Sequence, residues 1–171
     1  GRLRRAVEQP ESDQGTQALE LGDVLRRAVY LLEPEAKRLG IVINMQSAEP
    51  VWVLADSVAL DQIVHNLLMN AFQALEQSST ELKRLQISTS QHDSFGELRV
   101  ADNGAGIPED VLPRLFEPFF STREGGLGLG LSLCETLAQG MGGEISASNQ
   151  AQGGAVFKLS LPLSKQETPA T

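Results

Sequence analysis

Asp102-Asn103-Gly104-Ala105-Gly106-Ile107, then Leu115-Phe116-Glu117-Pro118-Phe119-Phe120-Ser121-Thr122-Arg123, then Gly125-Gly126-Leu127-Gly128-Leu129-Gly130-Leu131 follow one another in a short span of this chain. Two glycine-rich stretches flank a phenylalanine-rich one, and an apolar helix carrying Asn66 and Asn70 one turn apart precedes all three. One nucleotide can use the four pieces together. A carboxylate suits a base edge, glycines let backbone come close, free amides suit phosphates, and side-chain oxygens suit magnesium.

Each piece also has a plainer reading. Asp102 ends a strand, and Asn-Gly after it is a hairpin signal because both residues accept positive φ. Ala105-Gly106-Ile107-Pro108 is no second alternating strand, so a base-reading carboxylate stands level with the turn. Accepting from the exocyclic amine of adenine, Asp102 would contribute roughly 1.5–3 kcal/mol. Gly106 would let the backbone approach the base. Gly126, Gly128 and Gly130 alternate just before a helix, which favours phosphate at its amino end over a simple connector. No lysine follows them, so this is neither the phosphate loop nor the dinucleotide fingerprint. Asn66 and Asn70 share a helix face among apolar neighbours, where polar groups need partners, and their amide oxygens suit magnesium. Phe116, Phe119 and Phe120 divide between core and the hinge of a short mobile cover, Ser121 to Gly126, in which Arg123 would touch phosphate. His65 points off the asparagine face, His92 lies in a turn, and Cys134 reads as a small core residue.

The chain has 171 residues, 41% of them hydrophobic and 21% charged, enough for one buried core. No apolar run is long enough to span a membrane, and no secretion signal opens the chain. Gly1 in place of Met suggests a piece of something longer. The lone cysteine forms no internal disulfide, which fits a reducing compartment. A net charge of −8 argues against a nucleic-acid surface and repels a triphosphate, so nucleotide binding would need a metal and local donors.

Residues 1–17 read as a linker, with Arg2 to Val7 as the end of an upstream helix, and 164–171 as a disordered tail. Helical spacing predicts a helix from Gly22 to Leu39, stopped by Gly40, and another capped by Asp56 that runs to about Glu76. Glu109–Leu115 reads as a short helix and Leu129–Gln139 as a longer one. Strands are predicted at 41–43, 51–54, 85–90, 98–101, 144–148 and 155–161, with His92 to Gly96 and Gly153-Gly154 as turns. The fold class is therefore α+β, a two-layer α/β sandwich with helices on one face of a mixed, mostly antiparallel sheet.

With these residues in hand, the chain resembles the ATP-binding catalytic domain of bacterial sensor histidine kinases, relatives of gyrase, MutL and the ninety-kilodalton heat-shock chaperone. Residues 62–71 look like the N box, Asp102–Ile107 the first glycine box, Phe116–Phe120 the phenylalanine box and Gly126–Leu131 the second. The resemblance covers residues 18–163 and implies a Bergerat-type fold with ATP between the helix layer and a lid. It implies that Asn70 and Asn66 hold Mg2+ and that Asp102 reads adenine. Gly104, Gly106, Ile107, Phe116, Phe119, Thr122 and Arg123 would line the nucleotide, with Gly126, Leu127, Gly128, Leu129, Gly130 and Leu131 around its phosphates. Asn66 and Arg123 would serve the transfer itself. The short lid and Gln73-Ala74-Leu75 are similar to nitrogen-regulation and dicarboxylate sensors.

Gln73 stands where many relatives carry a cation, and Ala155 where many carry threonine. Neither His65 nor His92 has the setting of a phosphoacceptor. The implied partners are thus a histidine hairpin outside this sequence and then a response regulator, with no nucleic acid and no membrane contact by this fragment. The fragment is expected to be a cytoplasmic monomer that does not label itself, and membrane attachment of the parent is left open. A gyrase-type ATPase clamp would carry a glutamate where Asn66 stands, and an anti-sigma serine kinase shares the boxes.

Overall fold

The computed structural model describes residues 15–120 and 130–165. Among the described residues, seven strands and three α-helices run in the order β1 (Thr16–Glu20), α1 (Leu21–Leu39), β2 (Ile41–Gln46), β3 (Trp52–Asp56), α2 (Ser57–Gln77), β4 (Lys83–His92), β5 (Phe95–Asp102), α3 (Gly130–Gly140), β6 (Glu144–Asn149) and β7 (Ala155–Pro162). Five strands form the main sheet in the order β2-β4-β5-β7-β6. Only β2 and β4 pair in parallel; the rest of the sheet is antiparallel. A second ribbon pairs β1 with β3 and is bridged from Val53 to Leu163, the residue that follows β7.

The helices cover one face of the sheet because their apolar stripes demand it. Helix α2 buries Ala59, Leu60, Ile63, Val64, Leu67, Leu68, Ala71, Phe72 and Leu75. Each large side chain so buried contributes roughly 1.5–3 kcal/mol, so this helix is the keel of the domain. Its start is set by Asp56, whose Oδ2 accepts from the Ala59 amide at 3.3 Å. Helix α1 stops at Gly40, which takes the left-handed conformation at φ 74° and returns its N–H to the Ala36 and Lys37 carbonyls. It runs through Pro34. The carbonyl that proline leaves unmet belongs to Tyr30, which is exposed enough for water to serve it.

Sequence reasoning found six strands; the seventh, β1, lies partly inside the stretch taken as linker. Its burial is deepest at Glu20, whose carboxylate caps α1 through the Gly22 and Asp23 amides at 3.0 Å each and also holds the Val51 amide at 2.8 Å. Two other expectations are corrected. The turn placed at His92 to Gly96 shrinks to Asp93 and Ser94, because His92 and Phe95 already pair. The helix expected over Glu109–Leu115 is a single 3-10 turn at Leu112–Arg114. Pro113 deprives that short stretch of an amide donor in mid-run, leaving too few bonds for an α-helix.

Candidate functional site

Strand parity puts a carboxylate where a core residue would stand. Along β5 the inward positions are Gly96, Leu98, Val100 and Asp102, so Asp102 inherits the buried face at the end of the strand. It is 4% exposed. Its Oδ1 accepts from the Gly104 amide at 2.9 Å and from the Ala155 amide at 3.3 Å. Both bonds fall on Oδ1, so Oδ2 takes neither. Burial pushes the Asp102 carboxyl above its ordinary range, and the Gly104 and Ala155 amides pull back against that. Where relatives were expected to offer a threonine hydroxyl, Ala155 offers its backbone N–H.

The loop after Asp102 is not a hairpin. Asn103 locks onto β4 instead: its Oδ1 accepts from the Arg84 amide at 2.8 Å and its Nδ2 donates to the Leu82 carbonyl at 2.7 Å. Gly106 sits at φ 85°, and a Cβ there would meet Asn149 Oδ1 at 3.0 Å. That gives Gly106 a reason internal to the fold. The Asn149 side chain clamps Ile107 from both sides, accepting from its amide and donating to its carbonyl at 2.7 Å each. Its neighbour Gln150 donates to the Asp102 carbonyl at 3.0 Å. A Cβ at Gly154, φ 91°, would collide with that same carbonyl oxygen. Asn149 and Gln150 were missed in the sequence, where they read as ordinary strand-end polar residues.

Opposite this loop, α2 carries Asn66 and Asn70 on one stripe, both half-buried. Asn66 bridges to α3. Its Oδ1 accepts from Gln62 at 3.2 Å and its Nδ2 donates to the Gly130 carbonyl at 3.5 Å, at the first residue of that helix. It also touches the buried thiol of Cys134, which burial pushes up to about 11 while Asn66 lowers it. Leu131 and Ile107 sit partly buried against the core. His65 is exposed. His92 is exposed too, at the end of β4 rather than in a turn.

The phenylalanines separate. Phe116 packs into the core edge-on to Phe157, ring centres 6.5 Å apart. Phe120 lies under the Arg114 guanidinium at 4.5 Å. Phe119 is 78% exposed and adopts φ 67°, a conformation that L-residues seldom take. Thr122, Arg123, Gly126, Leu127, Gly128 and Leu129 lie outside the described residues. Among the described residues no three His, Cys, Asp or Glu side chains cluster as metal ligands, and no helix is long and apolar enough to cross a membrane.

Chemically, the arrangement offers a buried carboxylate with a spare oxygen, a glycine loop held by two amides, and carboxamide oxygens on a facing helix. Residues 55–165 match the family described as histidine kinase-, DNA gyrase B-, and HSP90-like ATPases. The chain is 33% identical over 149 residues to the sensor histidine kinase TmoS of Ectopseudomonas mendocina, covering 85% of this chain and 15% of that protein. It is 42% identical over 114 residues to the C4-dicarboxylate transport sensor protein DctB of Pseudomonas aeruginosa, covering 66% of this chain and 18% of that one. The chain therefore spans less than a fifth of the length of these two relatives. Its fold matches the solved catalytic domain of histidine kinase ThkA with a TM-score of 0.77 at 28% identity, covering 86% of this chain and 95% of that one. It also matches ThkA in complex with the response regulator protein TrrA with a TM-score of 0.74 at 25% identity, covering 97% and 48%.

Proposed function

Because this chain belongs to the histidine kinase-, DNA gyrase B- and HSP90-like ATPase family, we propose that it is the ATP-holding catalytic unit of a sensor histidine kinase. The observation that carries the reading is Asp102, a buried carboxylate whose Oδ1 is already taken by two backbone amides. A charged group left in the core without a ligand costs stability, and a base amine offered to Oδ2 would offset that cost. Adenine carries such an exocyclic amine, and the ATPase family this chain belongs to favours it among the bases that do.

Asn149 and Gln150 keep the Asp102–Ile107 loop in place beneath the base. Asn70 and Asn66 would hold magnesium, and their donor chemistry fits: carboxamide oxygens are hard ligands, and so small a protein set leaves room for phosphate oxygens and water. When bound, that ion supplies charge neutralisation across the triphosphate. Gly130, the first residue of α3, and Gly128 two positions earlier in the sequence would face the phosphates, and Arg123 would add a cation there. Thr122, Gly126, Leu127, Leu129 and Leu131 would serve the same phosphate side, with the exposed Phe119 before them and Phe116 supporting the site from the core.

The protein would act by positioning. An external imidazole nitrogen attacks the γ-phosphorus in line, the bond from γ-phosphorus to the bridging oxygen breaks, and ADP leaves. Asn66 stands where a water-activating glutamate would be needed, and an amide cannot accept that proton, so transfer is favoured over hydrolysis. The acceptor histidine would come from a hairpin outside this sequence, and a response regulator would receive the phosphoryl group next. The ThkA–TrrA complex supports a regulator as partner.

The test is phosphoryl transfer from γ-labelled ATP to a separately supplied acceptor hairpin. Acid-labile label on the hairpin, with none on this chain, is expected. Label on this chain itself, or none on the hairpin despite bound ATP, would overturn the assignment.

A further inference from the structure

Gln73 presents the one buried side-chain nitrogen or oxygen, among the described residues, that finds no hydrogen-bond partner: its Oε1. Such atoms are rare in folded proteins and expensive to keep, so each calls for a cause. The residue follows Asn66 and Asn70 along α2 at the seventh position after the first, so the three carboxamides share one stripe of the helix. The fold gains nothing visible from this oxygen.

Its chemistry narrows what it could meet. An amide oxygen accepts and never donates, so it has nothing to offer the phosphate oxygens that a lysine or arginine at this position would bind. It needs an N–H or O–H. On the stripe whose other two amides are assigned to magnesium, water on that ion would be such a donor, its O–H bonds polarised by the metal.

We propose that Gln73 is a further nucleotide-site residue, accepting through Oε1 a hydrogen bond from magnesium-bound water of the Mg-ATP complex. This rests on the reading of the site as an Mg-ATP site. Gln73 thereby replaces a direct cationic contact with one that exists only when the metal is present.

The experiment compares the full chain with its Gln73→Met variant, which keeps side-chain length and volume but removes the acceptor. Calorimetry measures Mg-ATP and, separately, ATP in excess EDTA; thermal unfolding is followed without nucleotide. Mg-ATP affinity should fall roughly five- to tenfold, as for one lost hydrogen bond to a polarised donor, while ATP in EDTA changes less than about twofold. The midpoint of unfolding without nucleotide should rise, since an unmet acceptor has been deleted.

Equal losses with and without magnesium would overturn the proposal and point to a phosphate or ribose contact. Unchanged Mg-ATP affinity with a lowered midpoint would make Gln73 a structural residue only. Wild-type protein that binds no Mg-ATP would instead sink the reading of the site, and this proposal with it. Gln73→Ala, run in parallel, separates loss of the acceptor from any misfit of the methionine.

Discussion

Replacing Asp102 by asparagine separates what this residue does for the fold from what it does for the nucleotide, because the two effects should have opposite signs. The asparagine oxygen can keep the bonds from the Gly104 and Ala155 amides, now made to Oδ1 at 2.9 and 3.3 Å. At Oδ2, however, an NH2 group replaces the acceptor and would face the adenine amine donor to donor. Losing a charge-assisted bond of roughly 1.5–3 kcal/mol weakens Mg-ATP by about 10- to 150-fold. Magnesium tripolyphosphate carries no base and should change by less than about threefold.

Stability should move the other way. Burial raises the folded-state pKa of Asp102, so the folded chain holds this proton more tightly than the unfolded chain. Stability therefore falls as pH rises through the interval between the two values, and the loss persists above the folded one. Above the folded pKa the ionised carboxylate is thus a burden on the ligand-free fold, and there Asp102→Asn should unfold at an equal or higher temperature than wild type. Below the folded pKa that advantage should shrink, since the wild-type acid is then neutral as well. Calorimetry on both ligands, with unfolding curves over a pH series from neutral into acid, reads all of this. Equal losses for ATP and tripolyphosphate, or a variant less stable by the same margin across the whole series, would refute the reasoning.

Asn149→Ala removes two 2.7 Å bonds to Ile107 and should cost roughly 1–3 kcal/mol, with the Ile107 amide exchanging its hydrogen much faster while α2 stays protected. Uniform loosening of the whole domain would contradict a local clamp. Glu20→Ala strands the Gly22, Asp23 and Val51 amides and should destabilise by roughly 1–3 kcal/mol in chemical denaturation with Mg-ATP affinity of the folded protein unchanged. Cys134, fully buried with its thiol pushed up to about 11, should react with a thiol reagent at pH 8 only as fast as the domain opens. Prompt reaction of the native protein would contradict that packing.

The keel helix, the Asp56 cap and the Gly40 stop were legible because each is decided within a few residues by periodicity, a capping oxygen or a positive φ. Asp102 was legible as a strand end, and alternation along β5 explains its burial. Strand β1 was not legible. Thr16 and Gln17 carry no apolar alternation, and their order comes from Asp56 and Ala55 of β3, 40 and 38 residues further on. The Asn149 clamp and Gln150 were hidden for the same reason: their partners Ile107 and Asp102 lie more than 40 positions upstream. The short helix over Glu109–Leu115 failed because Pro113 in its middle outweighs its leucines. Phe116 shows how one motif can divide its work, with this ring filling the core against Phe157 while Phe119 faces solvent.

The most direct measurement is a crystal structure of this chain with magnesium and a non-hydrolysable ATP analogue. The adenine amine should lie within about 2.7–3.2 Å of Asp102 Oδ2, with an Asn70 amide oxygen on the metal. An analogue bound with its base away from Asp102, or an Asp102 carboxylate turned out to solvent, would contradict the account.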